Sequence, residues 1–281
     1  MSENIMETRD IHYTYGDGTH ALKGLSLEIR RGRTTAVLGG NGAGKSTLFL
    51  SLNGTLKPAS GHVLFKGLPV DYSGNGLNKL RKSVGIVFQD PDSQLFSSSV
   101  FQDISFGPMN MKLPEKEVRG RVNAAMEKTG ILHLKDKPTH YLSFGQKKRA
   151  AIAGVLAMQP EVLILDEPTA GLDPMGAAEI MRLLNKVKEE LDATVVVATH
   201  DVDIVSLYCD YVYVLDEGRV VLEGNPKEIF SRPELLRKVH LRLPRIAHLA
   251  EILQKNDGFE FGERVLTISE ARKELKKLMR K

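Results

Sequence analysis

A glycine-rich stretch that ends in Lys-Ser-Thr constrains the fold more than any other feature of the sequence. Residues 39–47 match the phosphate-binding pattern G-x-x-x-x-G-K-[ST] at every required position. The β-branched and apolar run Thr34–Leu38 before it predicts a buried strand, and the run Thr47–Leu52 after it predicts a helix. A strand, a glycine loop and a helix in this order form the setting in which this pattern binds phosphate.

The residue types in this stretch have chemical reasons. Glycine has no Cβ, so the backbone can approach phosphate oxygens, and the unpaired N–H groups at the helix start point at the anion. Lys45 adds a positive charge for the β- and γ-phosphates, and the Ser46 hydroxyl can bind Mg²⁺. The alternative, an ordinary glycine turn, does not explain the Lys-Ser-Thr end. The residues assigned to the site are Gly39, Gly40, Asn41, Gly42, Ala43, Gly44, Lys45, Ser46 and Thr47.

Two carboxylates follow a second buried strand. The apolar run Val162–Leu165 predicts a strand that ends at Asp166 and Glu167. Acids at the carboxyl end of a parallel strand face the nucleotide crevice, where Asp166 can hold Mg²⁺ and Glu167 can activate water as general base. Two surface acids at a strand end are the alternative. Gln89 and His200 also follow apolar strands, and with the loop they could place the metal, the water and the γ-phosphate.

Composition narrows the class of protein. The 281 residues carry a net charge of +4 that is scattered along the chain, whereas nucleic-acid-binding proteins concentrate Lys and Arg on one stripe. We therefore expect no nucleic-acid partner. The single cysteine, Cys209, excludes an intrachain disulfide and suits a reducing cytosol. The longest apolar run, residues 150–158, is far shorter than the ~20 residues of a membrane span, so at a membrane another protein would have to anchor this chain.

The pattern of elements predicts an α/β fold. Strands alternate with helices, which indicates a phosphate-loop core with a mainly parallel sheet. A hairpin over residues 211–222 predicts an antiparallel β edge, and helical periodicity predicts a helical subdomain at about residues 97–158. The composition changes after Arg232-Pro233. We expect an ATPase domain at residues 1–232 and a small helical C-terminal appendage at residues 233–281.

The run Leu142–Gln146 reads Leu-Ser-Phe-Gly-Gln and resembles the signature of ABC ATPases, the nucleotide-binding subunits of ATP-driven transporters. The usual form has Gly where this chain has Phe144, but Ser143 and Gly145 are kept. The resemblance covers about residues 3–230, and the motifs stand in the family's order. These are Tyr15, Gly39–Thr47, Gln89, Ser143–Gln146, Asp166-Glu167, Ala170–Asp173 and His200.

The resemblance implies a role for each of these motifs in the use of ATP and Mg²⁺. Tyr15 would stack on adenine, although the pattern alone favours a core tyrosine. Gln89 would sense Mg²⁺ and a transmembrane partner, and His200 would hold the γ-phosphate and the water. Asp173 would cross the interface between two subunits. The residues that would contact the ATP of the second subunit are Ser143, Gly145 and Gln146.

A dimer follows from the same resemblance, because two copies facing head to tail would enclose two ATP molecules. Both halves of the composite site are present in this chain, which favours a homodimer over a pair with a paralogue. Repair-type ABC ATPases carry a long coiled coil before the signature, and the short interval here shows no sustained heptads. A soluble ABC ATPase outside transport stays the alternative to a transport subunit.

Three further segments resemble one branch of the family. Residues 88–96 are similar to the segment of energy-coupling-factor importers. Residues 143–158 and the tail Leu243–His248 resemble the cobalt-importing ATPase of that group, whose tail forms a dimerisation segment. The resemblance implies a transmembrane coupling protein and a substrate-binding membrane protein as partners, at the cytoplasmic face of the membrane. Nickel or a vitamin is the alternative substrate.

Asp90 and Asp92 flank Pro91 directly after Gln89. Two carboxylates on a stiff loop suit arginines from a partner's cytoplasmic helix. We therefore hypothesise that they receive such arginines; a simple capped turn is the alternative. The histidines other than His200 are dispersed without ligand spacing, so the transported ion is expected to bind a membrane partner.

Overall fold

The computed structural model describes residues 3–262 and 264–279, and in this part of the chain ten strands form two sheets. The strands are β1 (Asn4–Thr14), β2 (His20–Arg30), β3 (Thr34–Leu38), β4 (Ser60–Phe65), β5 (Leu68–Pro69), β6 (Val84–Val87), β7 (Val162–Asp166), β8 (Thr194–Ala198), β9 (Tyr211–Asp216) and β10 (Arg219–Gly224). The helices are α1 (Lys45–Leu52), α2 (Gly74–Ser83), α3 (Val100–Asn110), α4 (Glu115–Lys128), α5 (Phe144–Leu156), α6 (Pro174–Leu191), α7 (Val202–Tyr208), α8 (Pro226–Phe230), α9 (Pro233–Lys238), α10 (Arg245–Asn256) and α11 (Ile268–Leu278). Short 3₁₀ turns cover Pro91–Ser93, Leu132–Leu134 and Thr139–Tyr141.

The larger sheet has the order β10-β9-β3-β8-β7-β6. The pairs β3–β8, β8–β7, β7–β6 and β3–β9 are parallel, and only the hairpin β9–β10 is antiparallel. This confirms the predicted mainly parallel sheet with an antiparallel edge. Because neighbouring strands run in one direction, the carboxyl ends of β3, β8, β7 and β6 lie along the same edge.

The N-terminal strands form a second, antiparallel sheet with the order β2-β1-β4-β5. The sequence did not predict that these strands form a sheet separate from the parallel one. Helix α1 joins the two layers, since Leu48 and Phe49 share one apolar cluster with Leu25 of the small sheet and Val196 of the large one. The phosphate-binding stretch is therefore held from both sides.

Helices α3, α4 and α5 form the predicted helical subdomain. Its apolar cluster contains Ile104, Val122 and Ile152, and it continues onto Leu163 and Val195 of the large sheet. Helix α5 begins at a reciprocal capping box formed by Ser143 and Gln146. Helix α6 begins with Asp173 as N-cap and proline in the first turn. Helices α2 and α7 were not predicted.

Residues after 232 pack onto the core formed by the preceding residues. Leu236, Leu241 and Leu243 lie in one apolar cluster with Val205 of α7 and Val214 of β9. Residues on both sides of the predicted boundary at residue 232 therefore share this cluster. Helices α9, α10 and α11 agree with the helical character predicted for this segment. The dimerisation role of the segment stays a prediction.

Candidate functional site

The phosphate-binding stretch leaves β3 at Leu38 and enters α1 at Lys45. Gly39 and Gly44 have φ values of 157° and 100°, where L side chains are strained. A Cβ on Gly39 would lie 2.5 Å from the carbonyl oxygen of Leu215, and a Cβ on Gly44 would lie 2.7 Å from that of Ala21. The chain can therefore follow this path only with glycine at both positions. The loop of residues 39–44 then forms a backbone cradle at the N-terminus of α1, which suits the phosphates of ATP.

Lys45 and Tyr15 border this cradle. The Lys45 ammonium donates hydrogen bonds to the carbonyl oxygens of Gly39 and Gly40, at 2.8 and 3.0 Å. The Tyr15 hydroxyl and the Thr47 hydroxyl are hydrogen-bonded at 2.9 Å, and Tyr15 is 37% exposed. Tyr15 thus lies at the helix end of the loop rather than in the core that the pattern alone favoured. Its stacking on adenine stays a prediction.

The Ser46 hydroxyl and the Asp166 carboxylate meet across the site. Ser46 donates a hydrogen bond of 2.7 Å to Asp166 Oδ2, and Asp166 is buried at the end of β7. Mg²⁺ prefers hard oxygen ligands of this kind and is often held by one carboxylate, a hydroxyl and phosphate oxygens. The donor set therefore fits Mg²⁺, and these two residues would hold it. Gln89, the third predicted ligand, is exposed just after β6.

Glu167 has the geometry expected of a general base. It is 6% exposed, and its Oε1 lies 3.0 Å from Nδ1 of His200, whose side chain is largely exposed. The other carboxylate oxygen, Oε2, is buried without a hydrogen-bond partner in the described residues. One oxygen is thus held by the histidine, while the second stays free to accept a proton.

Lys148 is a residue near this site that the sequence reasoning missed. It is fully buried, and its ammonium donates a hydrogen bond of 2.8 Å to the backbone carbonyl of Glu167. A Lys-Lys-Arg run normally indicates a solvated surface. The helical period could have found it, since Lys148 shares the buried face of α5 with Ala151, Ile152 and Val155.

The acidic loop after Gln89 is engaged within the chain. Asp90 caps the turn Pro91–Ser93 by accepting from the N–H of Asp92 at 3.0 Å. Asp92 pairs with Lys147 of α5 at 2.6 Å. The capped-turn alternative is therefore observed, and the docking of a partner's arginines on this loop stays a prediction. Asp90 is exposed and has no ion pair within the residues described.

The signature residues lie apart from the phosphate cradle. In the described part of the chain, no hydrogen bond or ion pair joins Ser143, Gly145 or Gln146 to residues 39–47. Ser143 and Gln146 bond to each other in the capping box, and Asp173 caps α6 through the N–H of Gly176. The structure therefore brings together the loop, Asp166, Glu167 and His200, but not the signature.

Comparisons with known proteins identify relatives of this chain. The family profile described as ABC transporter matches residues 22–170. The chain is 64% identical over 273 residues to the energy-coupling factor transporter ATP-binding protein EcfA3 of Clostridium perfringens, covering 97% of this chain and 96% of that protein. It is 52% identical over 265 residues to EcfA of Methanocaldococcus jannaschii, covering 92% and 95% of the two chains.

Two solved structures extend the comparison. The structure of cbiO1 from Clostridium perfringens, described as part of the ABC transporter complex cbiONQ, has 65% identity and a TM-score of 0.78, and covers 89% of this chain and 100% of that one. A dimeric ATP-binding cassette in a post-hydrolysis state, bound to ADP and Pi, has 28% identity and a TM-score of 0.72, with 79% and 98% covered. Among the described residues, no helix combines the length and apolarity that crossing a bilayer requires.

Proposed function

Because this chain belongs to the ABC transporter family and is an ATPase of that family, we propose that it powers an energy-coupling-factor importer whose substrate is cobalt. The observation that carries the proposal is the Glu167–His200 pair beside the Ser46–Asp166 pair. A general base and a Mg²⁺ site at one end of a phosphate cradle are the groups that ATP hydrolysis needs. The similarity to proteins named for energy-coupling factor transporters supports the transport assignment.

The chain's own residues divide the work of hydrolysis. The cradle and Lys45 bind the phosphates, and Tyr15 stacks on the base. Ser46 and Asp166 would hold Mg²⁺, which would supply positive charge to neutralise the phosphates. Glu167 accepts a proton from the attacking water at Oε2, and His200 fixes Oε1 and the γ-phosphate. Gln89 couples this site to the loop of residues 90–93, which faces the membrane partner.

A second copy of the chain completes each site in this proposal. Ser143, Gly145 and Gln146 lie outside hydrogen-bond reach of the cradle in their own chain, so they are available to a neighbour's ATP. Asp173 stands at the exposed start of α6, where it can cross the interface. A homodimer with two composite sites follows, with the segment 233–281 contributing to dimerisation.

The membrane partner docks beside the Gln89 loop. A groove of about 470 Å³ lies between β6 and helices α3 and α5, and its rim carries Phe96 and Phe106, which are 66% and 51% exposed. The two rings contact edge to face at 4.9 Å. The groove is lined by Gln94, in the segment that follows Asp90, and its apolar lining suits the apolar face of a cytoplasmic helix. In this proposal the ATPase lies peripherally at the cytoplasmic face of the membrane.

Cobalt is proposed from the similarity of residues 143–158 and 243–248 to the cobalt-importing branch. In the described residues no cluster of three or more His, Cys, Asp or Glu side chains could hold a metal ion. That the transported ion binds the membrane partners stays a prediction from the dispersed histidines. Nickel and a vitamin are the competing substrates.

Uptake by the whole transporter tests the proposal. The chain is co-expressed with the small membrane proteins encoded beside it, and uptake of labelled cobalt, nickel and a vitamin into vesicles is measured with ATP. We expect ATP-dependent cobalt uptake that Glu167→Gln abolishes while ATP binding persists, because the base is lost and the cradle is not. The turnover number should fall by about a hundredfold or more.

The matched control is Glu189→Gln, which neutralises an exposed glutamate on α6 outside the site. This variant should keep parental uptake and turnover. Normal turnover in Glu167→Gln contradicts the assignment of the base. Uptake of nickel or a vitamin instead of cobalt contradicts the substrate but not the transport role.

A further inference from the structure

Lys148 is a buried cation that contacts the backbone of the proposed base. It lies on the first turns of α5 with none of its surface exposed, and its Nζ is 2.8 Å from the carbonyl oxygen of Glu167. No carboxylate within the described residues forms an ion pair with it. Its neighbour Lys147 forms an ion pair with Asp92, so the two adjacent lysines make different contacts.

Burying a lysine without an ion pair is costly, so an uncharged side chain would normally serve the fold better. Desolvation lowers the pKa of Lys148, and the nearby Glu167 and Asp166 carboxylates oppose that shift. The buried lysine is therefore expected to have a local role at the strand end. Because Lys148 donates its hydrogen bond to the Glu167 carbonyl oxygen, this role concerns the backbone of residue 167.

The backbone of Glu167 is in an unusual conformation. Its φ is +47°, in the left-handed region that non-glycine residues seldom adopt and that persists only where neighbours hold it. The N–H of Glu167 donates to Ala198 at 3.0 Å, and its carbonyl accepts from Ala170 at 3.2 Å and from Lys148. The Lys148 bond is the one made by a side chain, and it is charge-assisted.

We propose that Lys148 is a positioning residue that holds Glu167 in this left-handed conformation, so that its carboxylate faces His200 and the γ-phosphate. The inference rests on the proposed role of Glu167 as general base. A rotation of the Glu167 backbone would move both the Oε1 contact with His200 and the free Oε2. Lys148 thus acts on the reaction through Glu167.

The aromatic ring of Phe144 lies next to the Lys148 ammonium. The Lys148 ammonium lies 5.7 Å from the centre of the Phe144 ring, within cation–π range. The ring in turn packs on Gly171, where a Cβ would come within 2.6 Å of it. The aromatic residue that replaces the usual glycine of the signature therefore covers the buried lysine.

The test measures ATP turnover and ATP binding by the purified full-length chain. Lys148→Met keeps the length and apolar stem of the side chain but removes the donor. We expect kcat to fall by about tenfold or more, because the base is no longer held in place. The Kd for ATP should stay within about twofold, and the melting temperature should not fall, because a buried charge has been replaced by a packed apolar group.

Two companion variants separate positioning from packing. Lys148→Gln supplies a neutral N–H donor to the same carbonyl and should recover a large part of kcat. Lys147→Met, the matched control, removes the adjacent lysine and should keep basal turnover within about twofold of the parent. The proposal is overturned if Lys148→Met turns over normally, if Lys148→Gln is as impaired as Lys148→Met, or if Lys148→Met loses ATP binding and stability together with kcat.

The Glu167→Gln variant separates this inference from the proposed function. If Glu167→Gln turns over normally, the base assignment fails and Lys148 has nothing to position. If Glu167→Gln is inactive while Lys148→Met is normal, only the role of Lys148 fails.

Discussion

At the scale of single residues, burial decides what the only cysteine can do. Burial raises the pKa of the Cys209 thiol from 9.0 to about 12, and the adjacent Asp210 carboxylate adds to this. Cys209 also packs against the apolar cluster formed by α7, β9 and the segment after 232. A thiol of this kind is protonated near neutral pH and is a poor nucleophile.

We therefore predict that Cys209 in the folded protein reacts slowly with a thiol reagent at pH 8. The rate should be on the order of a thousandfold below that of an unperturbed thiol, because only the thiolate attacks. The measurement is the absorbance of released reporter from an aromatic disulfide reagent. The same chain in denaturant is the control and should react at the normal rate; equal rates would contradict the burial of the thiol.

The same shift gives a pH dependence of stability. Below about pH 9 the thiol is protonated in the folded and the unfolded chain alike, so its contribution is fully present. As the pH rises toward 12, the unfolded chain ionises first, and the free energy of unfolding falls.

At the scale of elements, the short helix α9 attaches the C-terminal segment to the core. Leu236 on this helix is fully buried in the cluster with Val205 and Phe230, whereas its neighbour Leu235 is 40% exposed. Two adjacent leucines thus differ in burial while sharing chemistry and helix. This makes them a matched pair for testing how firmly the segment is attached.

We predict that Leu236→Ala lowers the free energy of unfolding by about 2–5 kcal/mol, because it removes buried methyl groups and leaves a cavity. Denaturant unfolding followed by circular dichroism measures this. Leu235→Ala should change stability by less than about 1 kcal/mol. Similar costs for both variants, or none for either, would mean that the segment does not share the core.

At the scale of the whole molecule, the separation of the signature from the cradle predicts shared sites. In a homodimer, each site takes Lys45 from one protomer and Ser143 from the other. Lys45→Ala and Ser143→Arg are therefore each expected to be inactive alone. A mixed dimer of the two variants has one site with both defects and one site with neither.

We predict that mixing the two inactive variants restores turnover to about one quarter of the parental rate, since half of the dimers are mixed and each has one intact site. Steady-state ATP hydrolysis measures this. A sample that contains only the Lys45→Ala variant is the control and should stay inactive. Absence of any recovery, in a mixture whose mixed dimers are detected, would show that each chain carries a complete site.

Much of the site followed from local patterns. The phosphate stretch, Asp166, Glu167 and His200 were all predicted as strand-end residues, and the order of parallel strands places them on one edge. These predictions succeeded because parallel strands of one sheet end on the same side. Residues at the carboxyl ends of different strands therefore lie near one another. Helix starts at Ser143 and Asp173 were equally predictable, because capping is decided within a few residues.

What the sequence determined alone is thus the set of chemical groups and the edge of the sheet at which they stand. Only the tertiary structure decided that the N-terminal strands form a second sheet, that Asp92 pairs with Lys147, and that Lys148 reaches the backbone of Glu167. These contacts join segments far apart in the chain, and their stability depends on burial and on the surrounding packing. A periodic pattern records which face of an element is apolar, but not which buried polar group on another element that face will meet.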